Sequence, residues 1–591
     1  MDPMEVDPRS SVEAPNGADA NSDRERSPTP PLRSLVDELS PYYRPAQQLP
    51  YELATHSSVL LESGQYLEGF ALLHDLLRSK TSISSPSNPH PALVPPVQIF
   101  ELAATLIVHP VVTTRAKSSD KLRGANDAIH YLRAVKRIVG PVNAKFNQAL
   151  TFALPGSGRS RGGRKRRNSA DGTSVDSERP VKSSIANETG LWAQADDFWK
   201  VVGWAFNCSL KHEKRWARWK IWLDLMLEIM EADWAERCRL HEEKNDANDD
   251  LLEQSIISMH LTSVNASGFS GRRKVLRAIL ADGSAKALSE FPEVFKNELK
   301  ERKEEKLKPI KEANIKEGNF GDLAGDDYDE DEDLSGTEKE PREKIPTRSS
   351  NRATARRVSI VSIHSSSDED PADGAETSFN GADMLGGIEA VEFRQRFLKL
   401  LTAVAYKTPT HFTTREQLFD SFTEHLRPLH ILLFQTLIAT STLTVPEQCI
   451  LAANTLLPLL PNSLPTYNLD APSQNEWEVH FFPQHANTHG FQDNAKVSLL
   501  LQKVLQLQMG EFIATAQFTE SVFKGIRARN AKALGVGKSG GGGLKAGELA
   551  AKNILEQSGK ALALLIHWLK DGELAQPRRV TRRRAANHQG N

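Results

Sequence analysis

An all-α fold, an irregular or solenoid-like stack of helical hairpins with long disordered segments, is predicted by three observations. Apolar residues recur at helical spacing over most of the apolar regions. No succession of alternating, strand-like runs appears. Stretches rich in Ser, Pro and charge show no apolar period and cannot bury enough surface to fold. The 591 residues leave room for two to four domains. Hydrophobic residues are 39% and charged residues 25%, so the core has to be carried by part of the chain. A formal net charge of -2 argues against a general polyanion binder, but the charges are segregated in blocks.

Residues 1–45 read as a disordered tail. The first helical block is expected over 46–154. "YELATHSSVLLESGQYLEGFALLHDLLRS" has helical spacing broken near Gly64, the pattern of a hairpin. Its Gly64, Tyr66, Phe70 and Leu73 are similar to a tetratricopeptide helix pair, although no second copy follows at a fixed period. "PPVQIFELAATLIVHP" is a short helix bracketed by prolines, and "DKLRGANDAIHYLRAVKRIVGP" is one stopped by Gly140 and Pro141. A basic linker spans 155–187, and a tryptophan-rich helical block spans 188–311. The end of that block, "EVFKNELKERKEEKLK", reads as a solvated mixed-charge helix. An acidic, Ser-rich linker covers 312–382. A C-terminal helical block covers 383–574, with a break at Pro428, and a basic tail covers 575–591.

Seven of the nine tryptophans lie between Leu191 and Trp234. On helical wheels Trp192, Trp199, Val202, Gly203 and Phe206 share one face. Trp216, Trp219, Leu223, Met226, Leu227, Met230 and Trp234 share another, which Trp222, Leu225 and Ile229 widen. Lys220, Asp224, Glu228 and Glu231 form the remaining polar strip. The two helices are therefore expected to be a hairpin whose indoles face inward as core. Trp204 falls off the main stripe and is the expected exposed anchor for a partner.

The polar segments carry short motifs. Arg164, Lys165, Arg166 and Arg167, with Arg159 and Arg161 before them, form a cluster that an acidic groove on an import receptor could grip. Arg582, Arg583 and Arg584 belong to a second cluster. Both clusters could also contact nucleic-acid backbone, without sequence preference and in a salt-sensitive way. Ser27 and Thr29 precede prolines, as proline-directed kinases require, and Ser169 and Ser359 follow Arg-Arg-x. Phosphate on Ser169 would reduce the charge of the first cluster. Val358, Ile360, Val361 and Ile363 form a β-prone run followed by Ser365, Ser366, Ser367 and three acids. That pattern resembles a SUMO-interacting motif, which adds a strand to a sheet edge while its acids, and phosphates on the serines, meet basic residues. SUMO is thus an expected partner.

Other chemistry fails on spacing. "GVGKSGGGG" has Lys532 where a phosphate-binding loop needs glycine, and it follows no strand. Arg123 and His130 have the Arg-x6-His spacing that resembles helical RNases of the HEPN type, but the two are expected to face solvent. His74, His109, His130, His212 and His241 lack metal-ligand spacing, and no Gly-x-Ser-x-Gly elbow occurs. No cofactor is expected. Three cysteines suit a reducing compartment, the N-terminus has no apolar leader, and no run of about 18 apolar residues suggests a membrane span. The expectation is a non-enzymatic, eukaryotic nuclear scaffold or complex subunit, set in chromatin or chromosome maintenance. The alternatives are a nuclear RNA-processing or ribosome-assembly factor and a helical enzyme of unrecognised type.

Overall fold

A computed structural model describes residues 42–152, 181–244, 249–300, 381–461, 472–535 and 546–575. Their regular secondary structure is almost wholly helical. The sequence signals place the elements well. Helix α1 (Tyr51–Glu62) ends before Gly64, whose φ of +79° makes the turn into α2 (Tyr66–Arg78). Pro96 introduces α3 (Val97–Leu106), and α4 (Ser119–Ile138) is N-capped by Ser118 through the Lys121 amide. A small difference from expectation is a parallel pair of three-residue strands, β1 (Ala46–Gln48) and β2 (Ala92–Val94), joined across α1 and α2. Three residues are too few to show a period-two pattern in sequence.

In the tryptophan block a four-residue helix, Leu191–Gln194, precedes α5 (Phe198–Lys211), so Trp192 is not on the helix of Trp199, where the wheel puts it; α6 (Glu213–Lys244) follows after the single residue His212. Asp197 caps α5 by accepting from the amides of Trp199 and Lys200 at 2.9 and 3.1 Å. Then come α7 (Ile256–Ser263) and α8 (Phe269–Ile279). Beyond Phe291 the chain to Lys300 makes turns rather than the solvated helix its charge pattern suggests. The C-terminal elements are α9 (Ile388–Lys407), α10 (Arg415–Leu426), α11 (Ile431–Ala439) and α12 (Val445–Leu456). A π-helical turn at Trp477–Phe481 precedes α13 (Phe491–Leu507), α14 (Ala516–Leu534) and α15 (Ala546–Ala575). The break at Pro428 separates α10 from α11.

One hydrophobic core runs through all of these parts, from Leu49 and Leu61 through Trp219 and Phe397 to Leu569. A smaller cluster of Ile431, Ala495, Ala533, Ala551, Ile554 and Leu555 joins α11, α13, α14 and α15. In such a body many helix C-termini are inside, where their free carbonyls need donors. Cations from other elements supply them. Arg44 donates to the carbonyls of Leu77 and Ser79 at the end of α2, and to those of His90 and Pro91. Arg218 and Arg215 reach Ile107 and Val108 after α3, at 3.0 and 2.7 Å. Arg394 reaches Ala281 after α8 at 2.8 Å, and Lys496 reaches Arg427 after α10 at 2.6 Å. Arg529 bonds the carbonyls of Phe482 and Gln484. The negative end of each helix dipole favours a cation there. Burial pulls Arg394 and Arg529 down to about 9; the nearby Asp282 offsets this only in part at Arg394, and the hydrogen bonds of both guanidinium groups go to carbonyls.

Candidate interaction surface

Trp204 is the first correction. It is 2% exposed, not an outward anchor. The wheel treats α5 as one arm of a hairpin with an open back. In the structure α8 and the short helix at Ala285–Glu290 also pack on α5, beside α6. Every residue from Phe198 to Cys208 except Lys200 is buried, so no side of the helix faces outward there. The Phe291 ring sits so close to Gly203 that no side chain fits there. Trp204 instead packs with its ring 5.6 Å from that of His212.

The other indoles of this region are architecture too. Trp199 donates to the His260 carbonyl at 3.1 Å, and Trp219 to the Glu298 carboxylate at 2.7 Å. Each buried indole removes on the order of 200 Å² from water, which stabilises by several kcal/mol. Glu298 is the second correction. It lies in the stretch expected to be solvated, yet its side chain is wholly buried and 2.6 Å from Arg215. It also accepts from the Phe295 amide. Arg215 continues to Thr113 and Thr114, so this cluster fastens residues 291–300 to the end of the first block. His109 packs edge-on against Phe295, and burial with the neighbouring Arg215 lowers it to about 4.

The polar strip of α6 faces protein on two sides. Arg133 of α4 bonds Asp224 and Glu228 at 2.7 and 3.0 Å, and Lys136 bonds Glu228 at 2.6 Å. From α9, Arg396 bonds Asp224 and Glu231 at 2.8 and 2.7 Å. Asp224 thus holds both neighbours at once. Burial pushes Glu228 up, but Lys136 and Arg133 outweigh it and hold the carboxyl below its usual range. Half-buried networks of this kind fix geometry more than they add stability.

The exposed tryptophan is a different one. Trp568 on α15 is 67% exposed, and Leu564, one turn earlier, is 60% exposed. The opposite side of the helix is core: Leu562, Ile566 and Leu569 are buried. Helix α15 has 30 residues and its main neighbour α13 has 17. A warning was present in "ALALLIHWLK", where apolar residues run round more of the helix than one buried face needs. Such a helix is either enclosed or left with an apolar stripe.

The largest cavity among those found, about 410 Å³, lies where the three blocks meet. Phe152, Glu253, Thr262, Asn265, His411 and Phe412 are among its lining residues, and Glu253 and His411 pair at 2.6 Å. No cysteine is among its lining residues, and no group of three side chains able to hold a metal ion occurs among the described residues. Arg123 and His130 are both exposed on α4, with Arg123 against Asp120 at 3.6 Å.

The short-motif residues lie outside the described residues. These are Arg164, Lys165, Arg166, Arg167, Arg582, Arg583 and Arg584 for import, and Val358, Ile360, Val361 and Ile363 for SUMO. The same holds for Ser27, Thr29, Ser169, Ser359, Ser365, Ser366 and Ser367. No described helix is long and apolar enough to cross a membrane. No protein-family model, curated protein or solved structure significantly matches the chain.

Proposed function

We propose that the chain is a non-enzymatic scaffold subunit of a nuclear assembly, in chromatin or chromosome maintenance, that binds protein partners through its helical body and its short motifs. The observation that carries this reading is the α6 strip. Asp224, Glu228 and Glu231 tie α4 and α9 to one helix, so three stretches far apart in sequence share one core. A body so joined can hold several partners at fixed separations. The segments that leave it carry the two basic clusters and the Val358–Ile363 run, which suit import and SUMO contact.

Affinity purification of the full chain from nuclei, with mass spectrometry, tests the setting. Chromatin-maintenance subunits are the expected companions, and recovery of SUMO conjugates should fall in an Ile360→Ala/Val361→Ala variant. Ribosome-assembly or RNA-processing factors in their place would overturn the chromatin assignment. Unchanged SUMO recovery would remove the motif.

A further inference from the structure

We infer that the cavity where the three blocks meet is a docking site for the arginines that open the chain's own basic linker, Arg159 and Arg161. Its volume, about 410 Å³, falls within the roughly 300–1,000 Å³ of ordinary binding pockets. Two carboxylates line it, Asp250 and Glu253, and no lysine or arginine does. Neighbouring cations bond other protein groups: Arg237 holds Asp233 and the Leu251 carbonyl, Arg272 the Ser267 carbonyl, and Lys407 Glu242. Glu253 pairs with His411, yet its side chain stays 36% exposed and can accept further bonds. Phe152, Phe412 and Met259 add apolar walls, and Thr262 and Asn265 add neutral acceptors. A guanidinium suits this mixture, because its fork of N–H groups needs several acceptors while its flat faces pack on aromatic rings.

Position along the chain selects the occupant. Phe152 lines the cavity, is buried, and is fixed by Trp192, whose ring lies 4.9 Å from its own. It is also the last described residue before the linker, so the linker leaves the body at the cavity wall. Arg159 is seven residues further on, a reach of at most ~25 Å at ~3.5 Å per residue. Pro155, Gly156 and Gly158 lie between and supply the residue types that a reversal of the chain needs. No acid occurs from Phe152 to Arg167, so the segment is complementary in charge to the two carboxylates. A tether this short gives the arginines an effective concentration at the cavity of roughly millimolar. Docking would hold the start of the linker against the body and present Arg164 to Arg167 from a fixed point. It is independent of which assembly the chain joins, and of whether an import receptor uses those residues.

The test uses the full chain. Trypsin must take an arginine or lysine side chain into its own specificity pocket, so a docked arginine resists it. Cleavage follows the undocked fraction. Cutting after Arg159 and Arg161 should therefore be roughly fivefold slower in the natural chain than in an Asp250→Asn/Glu253→Gln variant. Cutting after Arg582 to Arg584 should be equal in both and serves as the reference. A second variant, Arg159→Ala/Arg161→Ala, leaves the helical body untouched and frees the cavity. A fluorescent peptide with the sequence of residues 155–163, followed by anisotropy, should bind that variant roughly tenfold more tightly than the natural chain, whose own linker competes. Salt near 0.5 M should weaken the binding, because the Debye length shrinks to about 4 Å. Equal tryptic rates in the first pair, with equal peptide binding in the second, overturn the proposal. So does peptide binding that survives Asp250→Asn/Glu253→Gln in the freed chain, which would place the peptide elsewhere on the body. Tryptic protection that vanishes on dilution also overturns it, and would assign the cavity to the linker of a second copy.

Discussion

Removing the Glu298 carboxylate should destabilise the helical body more than its place in a charge-rich stretch suggests. Glu298 is wholly buried, and Arg215, 2.6 Å away, is 3% exposed, so solvent screens the pair very little. In Glu298→Ala the guanidinium keeps the Val108 carbonyl and the two threonine hydroxyls but loses its only carboxylate, and the Trp219 N–H loses its acceptor. Breaking one side of a buried pair costs about 3–5 kcal/mol. With about 2.1 cal/mol/K of unfolding entropy per residue over roughly 400 described residues, that corresponds to a Tm lower by about 4–6 °C. Differential scanning calorimetry reads the shift. Hydrogen exchange should show residues 291–300 losing protection first, since the carboxylate also holds the Phe295 amide. The double change Arg215→Met/Glu298→Met is expected to recover most of the loss, because replacing both charges with apolar groups removes the uncompensated ion. A Tm change under about 1 °C for Glu298→Ala, with unaltered exchange, would refute the account of this cluster.

Two further outcomes follow from burial. Trp204→Ala should cost about 3–5 kcal/mol by leaving a cavity inside α5, whereas Trp568→Ala should stay within about 0.5 kcal/mol; equal effects in thermal unfolding would refute the placement of the two rings. His109 and His260 are lowered to about 4 and about 3 by burial, with Arg215 adding to the effect at His109. Because the unfolded chain takes up these protons near pH 6.5, their contribution is intact above that pH and is lost as pH falls toward 4 and 3. The loss is about 1.4 kcal/mol per pH unit per histidine, or about 2 kcal/mol each by pH 5. Urea unfolding at pH 7 and pH 5 should show it, and stability flat over that range would count against neutral, buried rings.

Much of the fold was legible because helical periodicity is a local property. Gly64, the Pro95–Pro96 pair and Pro428 mark element ends by backbone restriction alone. The inward arc of Trp216, Trp219, Leu223 and Met226 was legible for the same reason. What escaped depends on contacts distant in sequence. A wheel shows which residues share a face of α5, but not that α8 also packs on that helix and that Trp204 lies inside. Glu298 reads as one more charge in a charged run until Arg215, 83 residues away, is beside it. That Trp568 is the residue left exposed has no local signature, because nothing in the sequence around it tells how far a neighbouring helix extends. The short motifs are sequence features throughout, and the described residues do not include them.

The carbonyl ends of α2, α3, α8 and α10 are each finished by a cation from another part of the chain. A helical array built from self-sufficient repeats can be shortened or extended at either end. This chain cannot be cut that way. A fragment stopping after α4 would include the end of α3 without Arg215 and Arg218, and one stopping before α9 would include α8 without Arg394. The first cut leaves the Ile107 and Val108 carbonyls without these donors and the second the Ala281 carbonyl, and both expose core. The practical unit for expression, and for evolutionary loss or gain, is therefore the entire helical body rather than any of its hairpins.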